Sequence, residues 1–339
     1  MRVTEQPSLK PYNTFGVEAG AGLMLTLESD EDLLTLPPFN PHRDLVLGGG
    51  SNILFASDVP GTVIHNRICG KEVVESENEH VWIETGAGEN WHELVEWTLD
   101  QGLSGLENLS LIPGLAGAAP IQNIGAYGVE LSSVLETVTA WDLSEHRWTV
   151  FSHEQCRLAY RDSIFKSGAP GRYLISSVRL RLNKRFVPHL DYAGLREELS
   201  KANISQPTPS QVSDAVITLR QRKLPDPAVT GNAGSFFKNP ALPRDQAMIL
   251  SERYPEIPAW PQTDGTIKFS AAWMIEHCGL KGRRIGGAAV SDRHALVIIN
   301  TGFATGRDIL QLANSIQSAI HDTFGVRLEP EPRIVDFPA

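Results

Sequence analysis

The segment Leu111-Ile112-Pro113-Gly114-Leu115-Ala116-Gly117-Ala118-Ala119-Pro120-Ile121-Gln122-Asn123-Ile124-Gly125-Ala126-Tyr127-Gly128 contains no charged side chain and is dense in glycine and other small residues. So long an uncharged stretch avoids solvent unless a cofactor or another domain covers it. Its small residues suit close packing against a flat ligand, and they suit a tightly packed interdomain turn equally well. Composition leaves both readings open.

Two further glycine-rich stretches narrow the choice. In Leu45-Val46-Leu47-Gly48-Gly49-Gly50-Ser51-Asn52-Ile53-Leu54-Phe55 an apolar strand runs into three glycines and two polar side chains. Successive N–H groups without Cβ atoms can cradle a diphosphate, with Ser51 and Asn52 as side-chain donors. The stretch lacks the lysine of a P-loop and the spaced glycines of the Rossmann fingerprint, and a strand–turn–strand hairpin would use glycines in the same way. In Gly231-Asn232-Ala233-Gly234-Ser235-Phe236-Phe237-Lys238-Asn239-Pro240 a single hydroxyl stands beside two aromatic rings, which reads as a reaction centre from which Phe236 and Phe237 exclude water. A glycine-rich turn entering a strand is the plainer reading.

Taken in order, these stretches closely resemble the UDP-N-acetylenolpyruvoylglucosamine reductase family, in the form with a tyrosine-bearing insertion before the substrate domain. The resemblance runs through Ser8-Leu9-Lys10-Pro11-Tyr12-Asn13-Thr14-Phe15-Gly16, the Gly48 loop, Gly86-Ala87-Gly88-Glu89-Asn90-Trp91 and the segment from Gly105 to Gly128. It continues through Tyr160-Arg161-Asp162-Ser163-Ile164-Phe165-Lys166, Lys223-Leu224-Pro225-Asp226-Pro227, the Ser235 stretch and Leu328-Glu329-Pro330-Glu331. It implies an α+β fold: a two-part FAD-binding domain of the vanillyl-alcohol-oxidase/PCMH type, joined to a C-terminal α+β substrate-binding domain. It also implies non-covalent FAD, with NADPH as co-substrate and UDP-N-acetylglucosamine enolpyruvate as the sugar nucleotide that is reduced.

The same resemblance assigns residues. Arg161, Ser235 and Glu331 match the catalytic positions. Hydride addition to the enolpyruvyl double bond leaves charge on the substrate carboxylate, which the planar guanidinium of Arg161 suits, and Ser235 matches the proton donor. Gly48, Gly49, Gly50, Ser51 and Asn52 would hold the FAD diphosphate, with Gly114, Gly117, Ile121, Asn123 and Gly125 along the flavin. Tyr127, Tyr192, Arg220, Lys223, Asn239 and His294 match substrate contacts, although His294 reads equally well as a capping or core histidine. Where many relatives carry two serines this chain has Ala118 and Ala119, so no hydroxyl reaches FAD from there. Two rivals remain: an oxidase on the same flavin scaffold, which needs no proton donor, and a non-catalytic nucleotide-binding protein, which gives Arg161, Ser235 and Glu331 no joint purpose.

Composition sets the remaining bounds. At 339 residues and 41% apolar content, the chain can bury two or three cores, and no apolar run suggests a membrane span. A net charge of −10 argues against broad nucleic-acid binding but permits a local basic pocket. The N-terminus lacks a secretory pattern, so a cytoplasmic location is expected, with no obligatory protein partner. Cys69, Cys156 and Cys278 are isolated, which suggests buried structural thiols rather than disulfides or a metal site.

Strands are expected at Leu45–Leu47, Thr62–His65, Val81–Glu84 and Tyr173–Leu182, and helices from Trp91 to Trp97, around Val212–Leu219 with Ser210 as a cap, and from Asp308 to Phe324 with Gly325 as the stop. The polar, proline-rich stretch 183–209 marks a junction. The domains expected are 1–67 and 68–209 for the two FAD-binding parts, 210–328 for substrate binding, and 329–339 as a segment returning a glutamate to the active site.

Overall fold

A computed structural model describes residues 1–338. The chain divides into two compact units. The first comprises Met1–Pro7, Gly20–Gly50 and Val59–Arg222, and the second comprises Ser8–Ala19, Ser51–Asp58 and the chain from Lys223 onward.

The first unit contains two sheets. Strands Arg2–Glu5, Ala21–Leu27, Val59–Asn66 and Leu45–Leu47 lie side by side in that order, the last three parallel. The second sheet is antiparallel, ordered Arg147–Ser152, Leu135–Asp142, Tyr173–Asn183, His80–Gly86 and Lys71–Glu77. The alternation along His80–Gly86 turns Val81, Ile83 and Thr85 into the core. That core continues through Trp91, Leu94 and Val95 of helix Trp91–Asp100, whose start is capped by the Asn90 side chain accepting the N–H groups of His92 and Glu93. A separate cluster joins the two sheets, with Leu25, Leu27 and Ile64 from the first and Trp141 and Leu174 from the second.

Helix Pro209–Lys223 belongs to the first unit almost to its end, so the break falls at Arg222/Lys223 rather than at the junction expected at 209/210. The reason is its apolar stripe. Val212, Ala215, Val216 and Leu219 pack with Leu195, Leu199 and Tyr127. The cap is Thr208 rather than Ser210: Thr208 Oγ1 accepts the Gln211 N–H and Gln211 Oε1 accepts the Thr208 N–H. Pro209 then occupies the first helical position, where a missing N–H costs nothing.

In the second unit, strands Asn232–Ser235, Val297–Asn300, Ala288–Val290 and Arg284–Ile285 form an antiparallel sheet covered by helix Gly306–Phe324. The helix buries Ile309, Leu312, Ala313, Ile316 and Ile320 and stops at Gly325. Strand Ile53–Phe55 joins this unit by pairing in parallel with Arg333–Val335. Among the thiols only Cys156 is buried; Cys69 is exposed and Cys278 half-buried, which corrects the expectation that all three are core groups. Among the described residues no helix is long and apolar enough to cross a membrane.

Candidate active site

Candidate groups fall into two sets, one in each unit. In the first unit, strand Leu45–Leu47 delivers Gly48, Gly49 and Gly50 to the end of the parallel sheet. A Cβ on Gly49 would lie 3.2 Å from Gly114 Cα and 3.4 Å from Leu115 Cγ, and one on Gly117 would lie 2.4 Å from Ala87 Cβ. The glycine segments therefore pass close to neighbouring backbone: a Cβ at Gly117 has no room, and one at Gly49 would require its neighbours to give by a few tenths of an ångström. A bare, uncharged backbone surface of this kind fits the diphosphate and flat ring system of FAD. The uncharged segment from Leu111 is not a free loop: Leu115, Ala116 and Ala119 are buried, while Ala118 is exposed. Ala119 thus serves the core, where a serine hydroxyl would need a partner.

Beyond this cradle the chain forms a small hairpin, Gly125–Ala126 against Val129–Glu130, with Tyr127 at its tip. Arg161 stands in the turn that joins Ala159 to Asp162 and donates from Nη2 to the Gly125 carbonyl at 2.8 Å. Its φ of 55° is uncommon for a residue with a Cβ. Asn123 is buried, and its side chain is engaged within the protein: Nδ2 donates to Glu130 Oε2 at 2.8 Å and to the Ala159 carbonyl at 3.2 Å, and Oδ1 accepts the Ser132 N–H at 2.9 Å. What remains of it for a cofactor is backbone. Ile121 accepts from Ser163 Oγ at 2.7 Å through its carbonyl, which fixes the preceding turn.

Tyr127 and Tyr192 meet edge to face, with ring centroids 4.8 Å apart, beside Arg220. Burial pushes the Tyr127 phenol up to about 12, against the pull of the Arg220 cation. Burial also draws the Arg220 guanidinium below its ordinary value; Tyr127 opposes this and the nearby positive charge of Arg161 adds to it. Two guanidinium groups in one partly desolvated neighbourhood make a site for an anion.

The second unit contributes Ser235, at the end of strand Asn232–Ser235 and next to an irregularity in its pairing with Val297–Asn300. The expected loop is therefore an edge strand with a bulge, and Gly234, at a φ of 72°, allows it. Phe236 and Phe237 are each only 1% exposed, so the two rings are core groups that anchor the serine from behind. The Glu331 N–H donates to the Phe236 carbonyl at 2.8 Å, and Phe237 bridges to Pro330. Asn52 Nδ2 donates to the Glu331 carbonyl at 3.3 Å, and the Arg333 N–H donates to the Asn52 carbonyl at 3.0 Å. Asn52, Glu331 and the strand that carries Ser235 thus share one backbone framework.

Three other expected contacts lie in this unit. His294 Nδ1 accepts the Leu296 N–H at 3.2 Å, and burial, reinforced by Lys223, holds its pKa below the ordinary value, so the ring is neutral with the other nitrogen protonated. Lys223 is exposed at the start of the unit. Asn239 Oδ1 accepts the Ala271 N–H at 3.0 Å at the start of helix Ala271–His277. Missing from the sequence reading are Asn108 and Glu130, whose side chains hold Tyr127 and Asn123. Both lie inside or beside motif segments, but nothing local announces that Asn108 donates to remote carbonyls or that Glu130 accepts from the Asn123 side-chain amide.

Residues 226–335 match the C-terminal domain of UDP-N-acetylenolpyruvoylglucosamine reductase, and residues 31–145 match an FAD binding domain. The UDP-N-acetylenolpyruvoylglucosamine reductase of Chromobacterium violaceum is 47% identical over 331 residues, covering 96% of this chain and 97% of its own. That of Dechloromonas aromatica is 44% identical, covering 98% and 99%. The crystal structure of the reductase from Thermus caldophilus matches with a TM-score of 0.68 at 28% identity, over 99% of this chain and the whole of that one.

Proposed function

This chain belongs to the UDP-N-acetylenolpyruvoylglucosamine reductase family, FAD-dependent oxidoreductases with an α+β fold, and from that premise we propose the division of labour among its residues. The reaction is the NADPH-dependent reduction of UDP-N-acetylglucosamine enolpyruvate to UDP-N-acetylmuramate, in cytoplasmic peptidoglycan precursor synthesis. Bound FAD would provide the hydride chemistry that links NADPH to the terminal enolpyruvyl carbon, which no side chain supplies. Residues 48–52 would hold its diphosphate, and Gly114, Gly117, Ile121, Asn123 and Gly125 would line its ring, the last two through backbone. The two separate sheets of the first unit, one built from strands up to Asn66 and the other from strands beginning at Lys71, support a two-part cofactor domain divided near residue 67.

Arg161 stabilises the negative charge that develops on the substrate carboxylate, where a fixed guanidinium acts most strongly in a water-poor site. Ser235 gives its hydroxyl proton to the carbon next to that carboxylate, and Glu331 supports the delivery. Tyr127, Tyr192, Arg220, Lys223, Asn239 and His294 bind and orient the sugar nucleotide. The observation that carries this reading is the backbone bond from Glu331 to Phe236, which sets two chemically apt residues from distant segments on one framework.

Anaerobic spectroscopy of the purified protein tests it. The protein is expected to be yellow, to release its flavin on acid precipitation, to bleach with NADPH and to recover its oxidised spectrum on addition of the enolpyruvyl sugar nucleotide. Flavin that NADPH reduces but the enolpyruvyl sugar nucleotide does not reoxidise, or a colourless protein that takes up no FAD, overturns the proposal.

A further inference from the structure

We infer that Asn108 is a positioning residue that sets the geometry of the Tyr127–Tyr192–Arg220 cluster, an inference that rests on the proposal that this cluster meets the sugar nucleotide. Asn108 is 1% exposed and lies in the short turn Glu107–Leu109. Its Nδ2 donates to the Tyr127 carbonyl at 2.9 Å and to the His189 carbonyl at 2.9 Å. Both amide hydrogens are used, one on each segment. His189 stands three residues before Tyr192, in a stretch without regular hydrogen bonding, so the bond ties the backbone that presents Tyr192 to the hairpin tip that presents Tyr127.

The same turn also reaches the helix that carries Arg220. Ser110 Oγ lies 2.7 Å from the Glu107 carbonyl, to which it donates, and 2.8 Å from Ser213 Oγ on helix Pro209–Lys223. Glu107 closes the turn from the other side by accepting the Gly105 N–H. Three elements, each bearing one member of the cluster, are therefore referenced to one buried turn. The clamp is not a cheap way to fill space: Asn108 Oδ1 is buried with no partner among the described residues, a penalty that an apolar side chain of similar size would not carry. What asparagine supplies in exchange is a pair of donors at a fixed spacing.

Steady-state and half-reaction kinetics of the holoenzyme test this with Asn108→Ala, Tyr192→Ala and the double variant. Asn108→Ala is expected to raise KM for the enolpyruvyl sugar nucleotide about three- to tenfold, the range for one lost hydrogen-bonding group. Bound flavin, kcat and the rate of flavin reduction by NADPH should stay within about twofold, a split that general destabilisation would not produce. In the Tyr192→Ala background the same change should raise KM by clearly less than it does in the native background, because part of its effect passes through Tyr192. If Tyr192→Ala raises KM and Asn108→Ala multiplies it again in full, or if Asn108→Ala leaves KM unchanged, the positioning role is wrong. If Tyr192→Ala alone leaves KM unchanged, it is the substrate-facing reading of the cluster that falls. Should Asn108→Ala not fold, Asn108→Ser keeps one donor and must show a smaller rise in KM with the same dependence on Tyr192; its absence overturns the inference.

Discussion

The two units hold their candidate groups by different means. In the first, Arg161 and the segments that present Tyr127 and Tyr192 are fixed by side chains reaching across to backbone carbonyls, and the Tyr127 phenol and the Arg220 guanidinium are partly stripped of water. In the second, Ser235, Asn52 and Glu331 are fixed largely by main-chain bonds among three segments remote in sequence. The first arrangement suits recognition of anionic groups, where desolvation strengthens a fixed cation. The second suits placing a small hydroxyl, which has no reach of its own and must be positioned by the strand beneath it.

That contrast breaks most visibly at Ser235. Ser235→Ala is expected to leave flavin reduction by NADPH intact and to slow turnover of the enolpyruvyl sugar nucleotide by about a hundred- to ten-thousandfold, the usual weight of one proton-transfer group. Stopped-flow traces of the two half-reactions separate the outcomes. An NADPH step slowed as much as the second step would move Ser235 from proton transfer to cofactor binding.

Acid should separate the units next. His65, on strand Val59–Asn66 of the first unit, is 8% exposed, and burial, with Arg67 and Arg2 adding, lowers its pKa from 6.5 to about 4. Below pH 6.5 the unfolded chain binds a proton that the folded chain refuses, so the stabilising contribution is complete above 6.5 and lost as pH falls to about 4. The gap corresponds to about 3 kcal/mol. Urea melts across this range should therefore show a steeper loss for the native protein than for His65→Gln. Equal slopes would mean that the imidazole is solvated after all.

Much of this was legible from residue type and spacing. The helix Gly306–Phe324 follows from Ile309, Leu312, Ala313, Ile316 and Ile320 at helical intervals, and each strand expected at Leu45, Thr62, Val81 and Tyr173 lies within an observed one. The glycine stretches announced close backbone approach, and Gly49 and Gly117 make it. Illegible was the assignment of Ser8–Ala19 and Ser51–Asp58 to the C-terminal unit. The pairing of Ile53–Phe55 with Arg333–Val335 is a long-range event that no local period encodes, since both are short apolar runs that could pair with many others. Asn108 was hidden for a related reason: its partners are carbonyl oxygens, which every residue has.

The smallest expected effect tests the main-chain framework of the second unit. A Cβ on Gly306 would lie 1.7 Å from the Phe55 carbonyl oxygen and 2.7 Å from its carbon, both backbone atoms that cannot rotate aside. Helix propensity alone predicts that Gly306→Ala stabilises the start of the helix by up to about 1 kcal/mol. The contact predicts the opposite sign, because strand Ile53–Phe55 must shift away, at a cost of about 1–3 kcal/mol. That strand continues directly from Asn52, whose side chain reaches the Glu331 carbonyl, so the disturbance should spread along the pairing with Arg333–Val335. Hydrogen exchange is the sensitive readout: amides in 53–55 and 333–335 should lose protection while those of Val59–Asn66 in the first unit keep theirs. A higher melting temperature with unchanged exchange would show that the close approach of Gly306 to Phe55 does not constrain the second unit, and that its groups are held by something other than the strand pairing.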